Sequence, residues 1–268
     1  MHILEIADWG KILLPYEQAV DELLIKFERL KKEFERENKH SPIEIVAGRV
    51  KGVGSILEKA NRKNIPYDRI EEEIEDIAGI RIICRFVEDI DRVIQLIRRR
   101  DGKDIFISEE RDYINNRKKS GYRSYHILVR YPIIMSKGKR NVKAEIQIRT
   151  MAMNFWATIE HSIKYKYSGN VPDDLQAKLQ ALAETAYNMD MEMGTVRGEI
   201  MDAIRIIEVK NKLVDKIRDK IERLHRDAGF EQLDEITKKF YDVYALNDNK
   251  QLIEFDEELA IIASLYKV

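Results

Sequence analysis

Two runs of alternating residues decide the fold, SYHILVRY at residues 124–131 and AEIQIR at residues 144–149. Successive side chains of a strand point to opposite faces, so each run predicts a half-buried strand. The apolar members of the second run point into the core: Ala144, Ile146 and Ile148. Its polar members share the other face: Glu145, Gln147 and Arg149. A carboxylate, an amide and a guanidinium are therefore predicted to line one surface.

An earlier run, DIAGIRIICRF at residues 76–86, follows the same rule. Its apolar face is predicted to carry Ile80, Ile82, Cys84 and Phe86. If these strands belong to one sheet, Asp76 and Glu145 lie on its polar face together with Arg81. Two carboxylates among arginines are the groups needed to hold a divalent cation and to neutralise a chain of phosphates.

The segment between these runs, RDYINNRKKSGYR at residues 111–123, is a basic loop with five Arg or Lys against one Asp. The whole chain is balanced instead, with 47 Lys+Arg against 48 Asp+Glu in 268 residues. A nucleic-acid-binding role must therefore be local to this loop. Tyr122 near the end of the loop could stack on a base.

Composition also limits the class of protein. The single cysteine, Cys84, excludes an internal disulfide and is predicted to be a buried, inert thiol. No apolar run approaches the length of a membrane span, and the first residues lack a signal-peptide pattern. We expect a cytoplasmic protein without a membrane segment.

Helical patterns surround the predicted strands. We predict helices over residues 16–39, over residues 41–63 and over residues 88–100, the second with Ser41 as its cap. Thr150 is predicted to cap a further helix. Strands alternating with helices indicate a mixed α/β layer rather than a helical bundle.

The helix after Thr150 is predicted to bring Asn154 close to the Glu145 strand. Its apolar residues are assigned to the core: Phe155, Trp156 and Ile159. Glu160 and His161 are interpreted as a buried polar pair, with direct chemistry as the alternative.

The remainder of the chain is predicted to be helical, from residue 173 to residue 226 and again over residues 233–244 and 255–265, with Gly229 as a helix stop. We assign residues 1–198 to the functional domain and residues 199–268 to a helical extension for packing or oligomerisation.

Four motifs, in this order, suggest a family: DIAGIR (76–81), GYRSYH (121–126), EIQIRT (145–150) and WATIEH (156–161). Together they resemble the synthetase domain of RelA/SpoT homologues. HSPIE (40–44) and MNFW (153–156) are similar to the small, single-domain alarmone synthetases of the RelQ type.

The resemblance implies a nucleotidyltransferase-like mixed sheet flanked by helices. It also implies transfer of pyrophosphate from ATP to the 3′-hydroxyl of GDP or GTP, which yields ppGpp or pppGpp and AMP. The hydrolase domain of larger relatives carries a His-Asp pair that this sequence lacks, so we expect a synthetase without hydrolase activity.

The resemblance also assigns roles to individual residues. Asp76 and Glu145 would hold Mg²⁺ and, with Arg81, form the catalytic set, in which Glu145 takes the proton of the attacking hydroxyl. The implied ATP site consists of Arg49, Arg81, Lys51, Lys59 and Arg62. The implied guanine-nucleotide site consists of Tyr122, which stacks on the base, with Lys118, His126, Arg111, Gln147 and Asn154.

Relatives of the RelQ type form homotetramers whose central cleft binds pppGpp as an activator, although Leu24 and Glu28 stand here where basic residues are expected. The competing hypothesis, from another class, is a regulatory oligomer that binds single-stranded RNA through loop 111–123. The balanced net charge argues against RNA binding as the sole role.

Overall fold

The computed structural model describes residues 8–167, 171–228, 233–246 and 248–266. Its elements are, in chain order, α1 (Trp9–Arg36), β1 (Ile45–Val50), α2 (Val53–Lys63), α3 (Ile70–Glu73), β2 (Ala78–Cys84), α4 (Val87–Arg98), β3 (Phe106–Asp112), β4 (Tyr125–Met135), β5 (Gly138–Thr150), α5 (Met151–Lys166), α6 (Asp173–Ala228), α7 (Leu233–Ala245) and α8 (Asn249–Tyr266). The predicted mixed α/β class is confirmed.

The strands form one five-stranded sheet in the order β1-β2-β5-β4-β3. Strands β2 and β5 run parallel, and the other neighbouring pairs are antiparallel. Strands β4 and β5 form a hairpin in which Met135 pairs with Gly138, and Gly138 has a φ of 116° that favours glycine. The two alternating runs therefore pair as neighbours.

One face of the sheet forms the main core. Side chains from α1 and α4 join this face in one apolar cluster, in which the alternate residues Ala144, Ile146 and Ile148 are fully buried, as predicted. Gly48 lets α1 approach β1, because a Cβ at Gly48 would lie 2.7 Å from Cγ1 of Val20. The polar residues of the same strands must then point to the opposite face.

The prediction of one helix over residues 41–63 is wrong. Residues 45–50 form strand β1, which pairs with β2, and the helix begins only at Val53. The Ser41 hydroxyl makes a local turn with the backbone of Ile43 instead of capping a helix. β-Branched residues in this segment favour a strand, and the edge of β2 offers the hydrogen bonds that the capping pattern could not reveal.

Two further features differ from the sequence predictions. Strand β3 was not predicted, and Arg111 belongs to it rather than to a loop. On α5 the cap is confirmed, since the Met153 amide donates to Thr150 Oγ1 at 3.1 Å. Phe155 and Ile159, however, are 69% and 41% exposed, so their assignment to the core is wrong. Their positions on α5 turn them away from the sheet.

The chain divides into two compact units, residues Met1–Gly194 and Thr195–Val268. In the second unit, apolar residues of α6, α7 and α8 form a separate cluster: Ile217, Leu224, Ile236, Phe240, Leu252, Phe255 and Leu259. The predicted stop at Gly229 lies outside the described residues, and the roles of residues 1–198 and 199–268 stay a prediction. Among the residues that the structure describes, no helix is long and apolar enough to cross a membrane.

Candidate active site

One line of residues crosses the sheet on its polar face. Arg81 of β2 lies opposite Ala47 of β1 and opposite Gln147 of β5. Gln147 lies opposite His126 of β4, and His126 lies opposite Arg111 of β3. Residues paired across neighbouring strands point to the same face. Four residues that are far apart in the sequence, one from the implied ATP site and three from the implied guanine-nucleotide site, therefore share a surface.

Asp76 lies just before β2, and two lysines hold its carboxylate. Lys51 Nζ is 2.8 Å from Oδ2, and Lys59 Nζ is 2.7 Å from Oδ1. Burial favours the neutral acid, but the hydrogen bonds from Lys51 and Lys59 outweigh it and lower the pKa of Asp76. Asp76 is therefore a carboxylate at neutral pH, and two of the predicted ATP-binding lysines lie beside it.

Glu145 is a buried carboxylate with two side-chain partners. His126 Nδ1 is 2.9 Å from Oε1, and Gln147 Nε2 donates to Oε2 at 2.7 Å. Burial acts to raise the pKa of Glu145, but the hydrogen bond and charge of His126 and the hydrogen bond from Gln147 together outweigh it, so the pKa is lowered. The charge of Asp76 opposes this lowering, which shows that the two acids are within electrostatic reach of each other.

Asp76 and Glu145 line the same pocket, together with Arg49, Arg81 and Gln147. Mg²⁺ usually takes one or two protein carboxylates and fills its other positions with water and substrate phosphate oxygens. The described residues contain no cluster of three or more His, Cys, Asp or Glu suited to a metal. The two ionised acids thus fit a magnesium ion shared with substrate, and they do not fit a closed structural site.

A second pocket adjoins the first, because Arg49, Arg81 and Gln147 line both. Its other walls are Tyr122, Arg149 and five residues of α5: Ala157, Thr158, Glu160, His161 and Ser162. Burial, followed by the charge of Arg49, lowers the pKa of Arg81. Like charges held close together in a pocket are stabilised by an anion or by an aromatic ring placed between them.

Tyr122 is half-buried and lines the second pocket. Its hydroxyl is 2.8 Å from His126 Nε2 and accepts a hydrogen bond from Arg149 Nη2 at 3.2 Å. Burial raises the pKa of Tyr122 above its ordinary value, so the hydroxyl stays protonated. Hydrogen bonds thus anchor the tip of the ring, which borders the space where a base could lie.

Four of the other predicted residues line neither pocket. The Lys118 ammonium lies over the rings of Tyr113 and Tyr122, at 4.3 and 4.8 Å from their centroids. Arg111 forms ion pairs with Glu75 and Glu109. Arg62 is exposed in the last turn of α2. Asn154, in the first turn of α5, has a buried Oδ1 without a hydrogen-bond partner among the described residues.

Sequence reasoning missed three residues that lie in or beside the candidate site. The alternating pattern placed Arg149 on the polar face but gave it no role, although it is 3% exposed and hydrogen-bonds to Gln147 and Tyr122. The ring centroid of Tyr113 is 5.1 Å from that of His126, but no sequence pattern around Tyr113 predicted a place in the site. His161 was assigned to a buried pair with Glu160, which is wrong.

Both residues line the second pocket, but His161 is exposed, whereas Glu160 is buried and forms an ion pair with Lys164 one turn further along α5. Adjacent residues of a helix point about 100° apart, so burial of one does not imply burial of the next.

The sheet and its two pockets define an α/β protein with a cluster of arginines beside an acidic centre. Residues 48–170 match the region found in RelA/SpoT proteins. The chain is 51% identical over 204 residues to GTP pyrophosphokinase YjbM of Bacillus subtilis, covering 76% of this chain and 95% of that protein. The chain therefore belongs to the RelA/SpoT family of GTP pyrophosphokinases.

Solved structures agree with this assignment. The crystal structure of small alarmone synthetase 1 from Bacillus subtilis bound to its product pppGpp matches with a TM-score of 0.69 and 52% identity, covering 72% of this chain and 97% of that one. The same synthetase bound to AMPCPP matches with a TM-score of 0.64 and 47% identity, covering 72% and 98%.

Proposed function

We propose that this protein transfers the β,γ-pyrophosphate of ATP to the 3′-hydroxyl of GDP or GTP, forming ppGpp or pppGpp and AMP. One observation carries the proposal. Asp76 and Glu145 line one pocket with Arg49 and Arg81, and that pocket adjoins a second one bordered by Tyr122. A donor polyanion and a nucleoside acceptor can thus meet at the two carboxylates.

The donor side of the site neutralises ATP. Arg49 and Arg81 lie diagonally across β1 and β2, where their planar guanidinium groups can hold adenine between them. Lys51 and Lys59, which meet Asp76 here, can turn to the triphosphate, with Arg62 of α2 at the outer edge. Repulsion between two polyanions must be cancelled before they can react, and these cations supply the charge.

Asp76 and Glu145 would hold Mg²⁺ in this site. A bound magnesium ion supplies charge neutralisation at the phosphate oxygens and orients them toward the acceptor. Asp76 is kept ionised by its lysines and Glu145 by His126, so both acids are ready to bind a cation at neutral pH.

The acceptor side orients the guanine nucleotide. The ring of Tyr122 can stack on guanine, and Gln147 can donate to the ribose region beside Glu145. The lowered pKa of Glu145 keeps it ionised at neutral pH, which is the form that can accept the 3′-hydroxyl proton. His126 stabilises that carboxylate through its contact with Oε1. Lys118, Arg111 and Asn154 remain proposed contacts at the edge of this region.

We also propose an oligomeric state and a cellular location for the protein. Exposed apolar residues of α5, Phe155 and Ile159, support packing against another subunit in a homotetramer. Activation by pppGpp would need a separate cleft, at which Leu24 and Glu28 weaken the charge that such a ligand prefers. Because the substrates are ATP and guanine nucleotides, we propose that the protein acts in the cytoplasm.

The position of a label tests the reaction. Incubation with γ-labelled ATP, GDP and Mg²⁺ is expected to place the label in a guanine nucleotide and to release one AMP for each product formed. Label in free pyrophosphate would instead indicate an ordinary nucleotidyltransferase. Labelled ppGpp should persist on prolonged incubation, since no hydrolase activity is expected.

No observation among the described residues supports the competing hypothesis of RNA binding. Of the basic residues in loop 111–123, Arg111, Arg117 and Arg123 already form ion pairs with carboxylates. Salt-sensitive binding of a single-stranded oligonucleotide without any nucleotide turnover would favour that hypothesis over the enzyme.

A further inference from the structure

Helix α6 packs against the residue that precedes Tyr122. Gly121 has a φ of +88°, and a Cβ added there would lie 2.5 Å from the Cβ of Ala183. Nearby, Trp156 Nε1 donates to the carbonyl oxygen of Leu179 at 2.7 Å, which fixes α6 to α5. The backbone just before Tyr122 thus packs directly against α6, and only glycine fits at position 121.

The same helix holds the residue that follows Tyr122. Arg123 is 7% exposed, and its Nη2 lies 3.3 and 3.1 Å from the two carboxylate oxygens of Glu184. Its guanidinium carbon is 4.2 Å from the ring centroid of Tyr187. Glu184 also forms an ion pair with Arg117 in the middle of the loop. One carboxylate therefore joins two separate points of the loop to α6.

We propose that Glu184 and Tyr187 are positioning residues for the guanine-nucleotide acceptor, acting through Arg123 on the ring of Tyr122. This inference rests on the proposed function. The Tyr122 hydroxyl is held by His126 and Arg149, but the orientation of the ring also depends on where its backbone lies. Gly121 and Arg123 set that position, and both are seated on α6.

The energetic reason is preorganisation. Stacking on a ring contributes more to ligand affinity when the ring is already held in its binding orientation, because no conformational entropy is then lost on binding. Burial lowers the pKa of Arg123, and the charge of Arg117 adds to the effect. The two guanidinium groups therefore repel each other unless a carboxylate such as that of Glu184 neutralises them. Removing the charge of Glu184 should release the loop, while the donor pocket, formed by other residues, keeps its shape.

Steady-state kinetics of the full chain test this. Glu184→Gln is expected to raise KM for GDP about tenfold or more, as loss of a charged hydrogen bond predicts. KM for ATP and kcat at saturating GDP should stay within about twofold. Glu192→Gln, an exposed acid further along α6, is the matched control and should behave as wild type. An unchanged KM for GDP in Glu184→Gln, with wild-type turnover intact, overturns the inference.

Substitutions of Tyr187 separate its ring from its hydroxyl. Tyr187→Phe keeps the face against which Arg123 lies and should leave KM for GDP near the wild-type value, whereas Tyr187→Ala should raise it. Equal KM values for these two variants would contradict the role given to the ring.

A double-mutant cycle separates positioning from general destabilisation. If Glu184 acts through Tyr122, Glu184→Gln should add little to the KM increase already caused by Tyr122→Leu. Independent, multiplying effects overturn the inference, as does a loss of kcat with unchanged KM. Failure of the wild-type protein to form AMP and a pyrophosphorylated guanine nucleotide would overturn the proposed function itself, which is a separate result.

Discussion

Nδ1 of His126 lies 2.9 Å from Oε1 of Glu145 in the polar face of the sheet. The other ring nitrogen lies 2.8 Å from the Tyr122 hydroxyl. In a neutral ring, Nδ1–H then donates to the carboxylate and Nε2 accepts from the tyrosine, a tautomer assigned from these partners. A single imidazole thus joins the proposed base to the proposed stacking residue.

Replacement of Glu145 tests the base. Glu145→Gln keeps the size of the side chain but removes the proton acceptor, so kcat for AMP release should fall by about 10²–10⁴-fold. The exposed Glu58→Gln on α2 serves as the control and should retain activity. Near-normal turnover by Glu145→Gln would exclude Glu145 as the base.

Replacement of Asp76 tests the magnesium site. Asp76→Asn removes one of the two acids of the pocket and leaves Lys51 and Lys59 without their carboxylate, so we expect kcat to fall by about 10²–10³-fold. The variant should also need more Mg²⁺ than wild type, measured by titrating the metal at fixed ATP. Chelation should abolish wild-type activity and added Mg²⁺ restore it. Full activity in excess chelator would rule out a metal at these acids.

Two substitutions of Tyr122 separate its ring from its hydroxyl. Tyr122→Leu removes base stacking, which is worth about 1–3 kcal/mol, so KM for GDP should rise by about 5- to 150-fold. Tyr122→Phe keeps the ring but removes the partner of His126 and Arg149, so we expect a smaller change in KM for GDP. Comparable increases for both variants would mean that the hydroxyl, not the ring, carries acceptor binding.

The buried carboxyl of Asp190 predicts a dependence of stability on pH. Burial raises its pKa to about 6, against the hydrogen bond that Thr150 Oγ1 donates to it at 2.6 Å. An unfolded Asp titrates near 4, so between about pH 4 and pH 6 the folded state retains a proton that the unfolded state has lost. Stability from this group is fully present below about pH 4 and is lost as the pH rises through about 6.

Asp190→Asn should remove this dependence. The free energy of unfolding of wild type relative to the variant should decrease by on the order of 2–3 kcal/mol between pH 4 and pH 7. Denaturant unfolding at constant ionic strength at several pH values would measure it. A difference that does not vary with pH would show that Asp190 titrates normally in the folded protein.

Local patterns were sufficient for much of the fold. Period-two alternation identified the faces of β2 and β5 and the presence of β4, and Thr150 was recognised as the cap of α5. Strand β1 was mistaken for part of a helix, because a Ser-Pro-x-Glu start is a local signal whereas pairing with β2 is not. Strand β3 was missed because its charged residues hide the alternation, although they find ion-pair partners in the fold.

The sequence by itself determined which side chains share a face of each strand, because that depends only on the geometry of neighbouring residues. It also carried the motifs that indicate the family. Only the tertiary structure decided that the parallel pairing of β2 with β5 places Gly79 beside Glu145 and Arg81 beside Gln147. It likewise decided that α6 holds the loop on both sides of Tyr122. Strand register and helix docking depend on contacts between distant residues, which no local pattern contains.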